Sequence, residues 1–265
     1  MRGLPQVAAS PGRDRAGFPG VVAVRVAAYQ APVLPCGSLK AIDLIRTRVA
    51  WCESQGVEIL CCPEAVLGGL ADNAARPADF AIDVESGQLG AALAPLASDT
   101  VTTILGFTEM SGTGDLYNSA AVFHKGAVVG VYRKLHPPIR KSIYRAGDRR
   151  PVFSVDALTF GIVICNDSNY SEPARTMANQ GATALFVPTH CALPVEKADV
   201  VGDARKADIA LARDNGVWVV RADVAGRTGA LVSYGSSAIV DPDGMVVQSA
   251  PPLTEALIVA DLGRS

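Results

Sequence analysis

Short runs rich in valine, isoleucine, leucine and alanine recur along the chain at 21–29, 57–62, 101–107, 117–123, 127–132, 159–165, 183–187, 217–222, 235–240 and 256–260. Their length and β-branched content predict strands. A different period runs between some of them. Ile42, Ile45, Val49 and Cys52 fall at helical spacing, as do Val200, Ala204, Ala207 and Leu211, so each set predicts a helix whose apolar stripe covers a sheet face. Tight turns are marked by "HKGA" at 124–127 and "DPDG" at 241–244, where proline presets φ and glycine accepts a positive φ. Helical crossovers join parallel strands and hairpins join antiparallel ones, so the alternation predicts a mixed sheet or two sheets packed face to face. Proline and glycine are spread evenly and mark no linker. Residues 21–265 therefore read as one domain, preceded by a mobile leader at 1–20 that lacks the apolar core of a secretory signal.

Composition narrows the function. With 265 residues, 49% hydrophobic and 19% charged, the chain has material for a large core. A formal net charge of -2 without any Lys/Arg run argues against nucleic acid as a partner and toward a small molecule. The apolar "VVAVRVAA" contains Arg25 and is far shorter than the roughly 20 residues of a membrane span. Six cysteines (36, 52, 61, 62, 165 and 191) form no C-x-x-C pair, which gives no support for a disulfide framework or a zinc site and suggests reduced thiols in the cytoplasm.

Three residues stand out by position. "GIVICNDSNYSEPAR" (161–175) runs apolar up to Cys165 and then turns polar. A free cysteine is commonly a small buried hydrophobe, but ligands of α/β proteins gather at the carboxyl edge of parallel strands, where a thiol is placed to act as a nucleophile. In "VEILCCPEAVLGG", Pro63 lacks the N–H that a continuing ladder requires and so leaves Glu64 at a strand end between apolar segments, where desolvation suits a carboxylate to proton transfer. Lys134 follows the second arm of a hairpin and precedes a proline-stiffened loop.

In this order, each at the end of a predicted strand, Glu64, Lys134 and Cys165 resemble the nitrilase, or carbon-nitrogen hydrolase, superfamily. The resemblance runs from about residue 22 to 262. It is carried by "PEAVLGG", "GFTE", "LYNSAAVF", "GAVVGVYRKLH", "GIVICND", "SEPAR" with Glu172 and Arg175, "GATALFVPT", "ARDNGVWVVRADVAGR" and "GSSAIVDPDGMVV". It implies an α/β fold, a four-layer αββα sandwich of two mixed β-sheets flanked by helices. It also implies a cofactor-free, metal-free hydrolysis of a small amide, with nitrile or N-carbamoyl hydrolysis, or a catalytically silent metabolite binder, as the alternatives. Cys165 is then the nucleophile and Glu64 the base, while Lys134 and the Asn166 N–H stabilise developing charge. Glu109, Ser142, Asn166 and Thr189 are assigned to the substrate side.

The resemblance further implies a homodimer or higher homo-oligomer, for which segment 171–181 with Met177 and Ala178 is the expected contact. Three departures from the family pattern are visible. "YSE" stands where "FPE" is common, Asp223 stands where asparagine is usual, and no acid occurs between Lys134 and Gly147, where a second glutamate is expected near Ser142. Glu109, at the end of "GFTE", is the expected replacement partner of Lys134, so that Glu109→Gln is expected to lower kcat about tenfold.

Overall fold

A computed structural model describes residues 23–38, 40–138 and 142–263. The leader read at 1–20 lies outside the described residues. Strand β1 (Val24–Pro32) leads through helix α1 (Lys40–Ser54) to a short β2 (Ile59–Cys61). After β3 (Ile82–Asp83) and helix α2 (Gln88–Leu93) come three long strands, β4 (Thr102–Met110), β5 (Leu116–His124) and β6 (Ala127–Arg133). Then follow β7 (Val152–Val155), β8 (Leu158–Ile162), helix α3 (Ser171–Asn179), β9 (Ala184–Pro188), β10 (Leu193–Pro194) and helix α4 (Val201–Asn215). The chain ends with β11 (Trp218–Ala222), β12 (Val224–Thr228), β13 (Leu231–Ser233), β14 (Ala238–Val240), β15 (Val246–Ser249) and β16 (Ala256–Leu262).

Two mixed sheets result. The first runs β10-β13-β12-β1-β2-β4-β5-β6, with β16 also paired to β1 and β3 to β4; the second runs β15-β14-β11-β9-β8-β7. The helical patterns become crossovers between parallel strands: α1 joins β1 to β2, α3 joins β8 to β9, and α4 lies between β9 and β11. Both turn motifs close antiparallel pairs. In "HKGA", Lys125 and Gly126 take φ of 47° and 77°, the positive values a two-residue hairpin needs, and Gly244 of "DPDG" has φ 79°. Strands β3, β7, β10, β12, β13 and β15 were not expected from the pattern, because each spans only two to five residues and is too short to set a period of its own.

Strand alternation divides the core. On β1, Val26 and Ala28 enter the cluster between the sheets, while Ala27, Tyr29 and Ala31 face the other way, onto Ile45, Val49 and Cys52 of α1. The second sheet carries α3 and α4 on its far side. There Met177 of α3 is fully buried against Gly161, where an added Cβ would overlap its sulfur, so only glycine lets the helix approach so closely. Burying a side chain of this size contributes about 1.5–3 kcal/mol. The layers are thus helix, sheet, sheet, helix, the α/β sandwich the resemblance implied.

Two expectations change. Met177 belongs to this core and is unavailable as a subunit contact, and the exposed positions of α3, which include Ser171, Glu172, Arg175 and Asn179, are polar. The stripe expected on α4 is also displaced. Its buried residues are Asp208, Leu211 and Ala212, and Val200 precedes the helix. A polar residue is read as facing solvent in a hydrophobic pattern, whereas Asp208 is buried because Arg221 meets it there.

Candidate active site

Glu64 is set by a loop laced to two strands. After β2, Cys62 N donates to Ile104 O, Pro63 O accepts from Gly106 N at 3.1 Å, and Glu64 N donates to Thr189 O at 3.3 Å. Gly106 is the contact point: a Cβ there would overlap the backbone of Glu64 and Ala65. Ala65 has φ 46°, a costly left-handed conformation for a residue with a Cβ, which the surrounding bonds enforce.

Lys134 sits one residue beyond β6. Its N donates to Asn118 O at 2.8 Å and its O accepts from Gly147 N at 2.8 Å. Its ammonium donates to Glu64 Oε1 at 2.6 Å, and Asn118 Nδ2 donates to the same oxygen at 2.7 Å. Both partners of the ion pair are buried, Lys134 at 4% and Glu64 at 2% exposure. Burial by itself pushes the ammonium down, but the Glu64 carboxylate and nearby Cys165 outweigh it and hold Lys134 above its ordinary value. Glu64 Oε2 makes no hydrogen bond among the described residues, so one carboxylate oxygen is clamped and the other is left free.

Register explains why Glu109 does not join this group. Asn118 pairs with Thr108, and the same face of the sheet continues through Ala120 and Tyr132 into the core between the sheets. Glu109 pairs with Tyr117, one residue along, and side chains alternate, so it points to the opposite face. There it accepts from Ser119 Oγ at 2.6 Å and from Arg133 Nε at 3.0 Å. The expectation that Glu109 replaces the missing loop acid is therefore corrected. Glu109→Gln is expected to weaken the Arg133 pair and lower stability by about 1–3 kcal/mol while kcat stays within about twofold. Urea unfolding and steady-state rates on the same preparation check this, and a tenfold fall in kcat without loss of stability would contradict the placement.

Cys165 comes from the second sheet. The strand expected to reach it ends at Ile162, and Cys165 opens a 3-10 turn (Cys165–Asn169) with φ 46°. The turn is pinned by Asp167, which is fully buried. Its carboxylate accepts from Ile164 N at 3.0 Å, His136 N at 2.7 Å and Tyr132 Oη at 2.8 Å, tying the Cys165 turn to the strand and loop that bear Lys134. Burial pushes the Asp167 carboxyl up, and the hydroxyl of Tyr132 and the charge of Lys134 oppose that shift.

Behind the turn lies a second buried pair. Arg221 Nε donates to both oxygens of Asp208 at 2.9 Å, and its other nitrogens donate to Thr189 Oγ1 at 2.7 Å and Ser168 Oγ at 3.0 Å. Burial works against the charge of Arg221, and Asp208 more than compensates, so the guanidinium stays charged. Thr189 is thereby spent on Arg221 and on Val187 O and is fully buried, which removes it from the substrate side. Ser142 is likewise used locally, accepting from Tyr144 N. Asn166 keeps its place on the cavity, its Nδ2 donating to His136 O at 2.9 Å.

A cavity of about 700 Å³ opens where the two sheets meet at this end, and Glu64, Asn118, Lys134, Cys165, Asn166 and Arg221 all line it. His190, Cys191 and Tyr144 also line it. Among the described residues His190 Nδ1 is buried without a hydrogen-bond partner, and burial pushes the imidazole down toward its neutral form. Among the described residues no group of three or more His, Cys, Asp or Glu is arranged to hold a metal ion, and no helix is long and apolar enough to cross a membrane. Sequence reading did not single out Asn118, Asp167, Asp208 or Arg221 as part of this site. The available signal was a polar residue inside an apolar run, as in "LYNSAAVF", "GIVICND" and "VWVVRA", since a buried polar group is the informative departure from pattern.

The chain was compared with known proteins. Residues 25–265 match the family model described as "Carbon-nitrogen hydrolase". The chain is 32% identical over 252 residues to "Hydrolase in pqqF 5'region" of Pseudomonas protegens, covering 92% of this chain and 85% of that one. It is 29% identical over 211 residues to a nitrilase of Pyrococcus abyssi, covering 78% of each. Among solved structures, an amidase from Nesterenkonia sp. superposes with a TM-score of 0.76 at 26% identity, over 91% of this chain and 90% of that one. A match that begins at β1 and runs through every element bearing the cavity places the whole described fold in one group, and the chain belongs to the carbon-nitrogen hydrolase family.

Proposed function

We propose that the protein hydrolyses the C–N bond of a small amide through a thioester on Cys165. The observation that carries this reading is the clamped carboxylate: Lys134 and Asn118 hold Glu64 Oε1, and Oε2 is left free in the cavity that Cys165 also lines. Glu64 Oε2 takes the thiol proton, and the sulfur attacks the amide carbon. Negative charge then develops on the carbonyl oxygen. The Lys134 ammonium stabilises it together with the Asn166 N–H, which lies in the first turn of a helix where such groups lack intrahelical partners.

As the C–N bond breaks, Glu64 returns the proton to the departing nitrogen and ammonia or an amine leaves. Glu64 then takes a proton from water, which attacks the thioester; the acid departs and the thiol is restored. Lys134 is held charged by the Glu64 carboxylate and by Cys165, so when Glu64 takes the thiol proton the negative charge passes to the sulfur and then to the oxyanion, and the ammonium keeps an anionic neighbour.

An ammonia-release screen over amides, nitriles and N-carbamoyl compounds tests the proposal. Ammonia and a carboxylic acid from an amide support it. Turnover of nitriles alone, or carbon dioxide release from carbamoyl compounds alone, would reassign the substrate class, and no turnover of any would point to a silent binder. The same reading carries a homodimer in a reducing compartment such as the cytoplasm; a monomeric mass by light scattering at micromolar concentration would overturn the dimer.

A further inference from the structure

Of six free cysteines, Cys52, Cys61 and Cys62 are buried in the core and Cys36 lies on the surface. Cys165 and Cys191 differ from these four: both are half-buried and both line the cavity. They come from different segments, the turn after β8 and the loop after β9, which are neighbouring parallel strands, and the nearby Cys165 side chain together with burial pushes the Cys191 thiol up.

The position of Cys191 is built rather than incidental. Asp223, one of the departures from the family pattern, is fully buried and accepts from Cys191 N at 3.0 Å, Val224 N at 2.8 Å and Ser236 Oγ at 2.7 Å, which fixes the loop against the ends of β11 and β12. Lys134 and Arg221 are both within electrostatic reach of Cys165. Hydroperoxides oxidise a cysteine through its thiolate, which transfer of the thiol proton to Glu64 would supply, and a second thiol beside it is what makes such oxidation reversible.

We propose that Cys165 and Cys191 form a peroxide-sensitive pair in which Cys191 is the resolving thiol. The inference rests on the reading of Cys165 as the nucleophile. In the first step the Cys165 thiolate attacks the terminal oxygen of a hydroperoxide. An S–O bond forms and the O–O bond breaks; the sulfur loses two electrons, and the peroxide is reduced to water, or to an alcohol, after taking a proton. In the second step Cys191 gives up its proton and its sulfur attacks the Cys165 sulfur. The S–O bond breaks, water leaves with that proton, and a disulfide remains that blocks the nucleophile until a thiol reductant restores it. Without Cys191 the sulfenic acid would stay exposed to a second peroxide and pass to the irreversible sulfinic acid.

The test treats the full chain with hydrogen peroxide and maps peptides without reduction, for the wild type, Cys191→Ala and Cys191→Ser. In the wild type the expected result is an intramolecular Cys165–Cys191 peptide, and activity that falls with peroxide and returns with dithiothreitol. In both variants Cys165 is expected to gain oxygen, and the activity recovered, relative to each variant's own starting rate, should fall at least about tenfold. A wild type that shows sulfinic acid at Cys165 as readily as the variants, or a disulfide between two chains, would overturn the resolving role. Prompt iodoacetamide labelling of Cys165 separates the two levels. If Cys165 is labelled and the disulfide is absent, only the pairing fails; if Cys165 resists both reagents, the nucleophile reading fails with it.

Discussion

Cys165→Ala is expected to lower kcat on any amide substrate by at least about four orders of magnitude, or roughly 5.4 kcal/mol of barrier, because it removes the sulfur on which the thioester forms. The fold should be unaffected. The side chain is half-buried, and the turn is held by Asp167 through backbone donors that the substitution does not touch. The backbone offers a second check, since Cys165 is held at φ 46°, where glycine rests at little cost and alanine does not. Cys165→Gly should therefore be more stable than Cys165→Ala by about 1 kcal/mol, seen as a higher unfolding temperature, while being equally inactive. Residual turnover above a hundredth of wild type in either variant would sink the acyl-enzyme mechanism, and equal unfolding temperatures would remove the argument for strain at the nucleophile.

Lys134→Met should be the most damaging change to stability. It leaves Glu64, 2% exposed, with Asn118 as the remaining side-chain donor to its carboxylate among the described residues, and removing one partner of a buried ion pair costs about 3–5 kcal/mol. Activity should fall roughly 10²–10³-fold with the lost charge stabilisation. Adding Glu64→Gln to Lys134→Met removes the orphaned charge, so stability should recover while activity stays lost. If the double variant is no more stable than the single one, the cost does not come from the unpaired carboxylate. The pH dependence follows from the raised pKa of Lys134. A cation raised by its partner contributes stability that is fully present below the unfolded-state value, about 10.4 for lysine, and lost as pH rises through the folded value above it. On the ammonium's account, the stability difference between wild type and the double variant should be flat from about pH 7 to 10, by urea unfolding.

The hydrophobic pattern alone set where most strands and both long helices lie, because burial on one face imposes a period of two or 3.6 on any chain that folds this way. It also set the ends at which Glu64, Lys134 and Cys165 emerge: Pro63 stops a ladder, and the polar "CND" follows an apolar run. The family resemblance added their order and chemistry. What the sequence did not decide is which side chains share a face across strands. Glu109 and Asn118 both sit in strand runs near the right edge, and only the Thr108–Asn118 register, which turns one inward and the other away, separates them. Nor does local pattern show that Asp208, on a helix that reads as amphipathic, is buried against Arg221 thirteen residues later, since the stabilising partner is supplied by a different element. The joining of Cys165 to Lys134 through Asp167 is likewise decided between the sheets. Such contacts depend on how two layers stack, a non-local event that no period in the chain encodes.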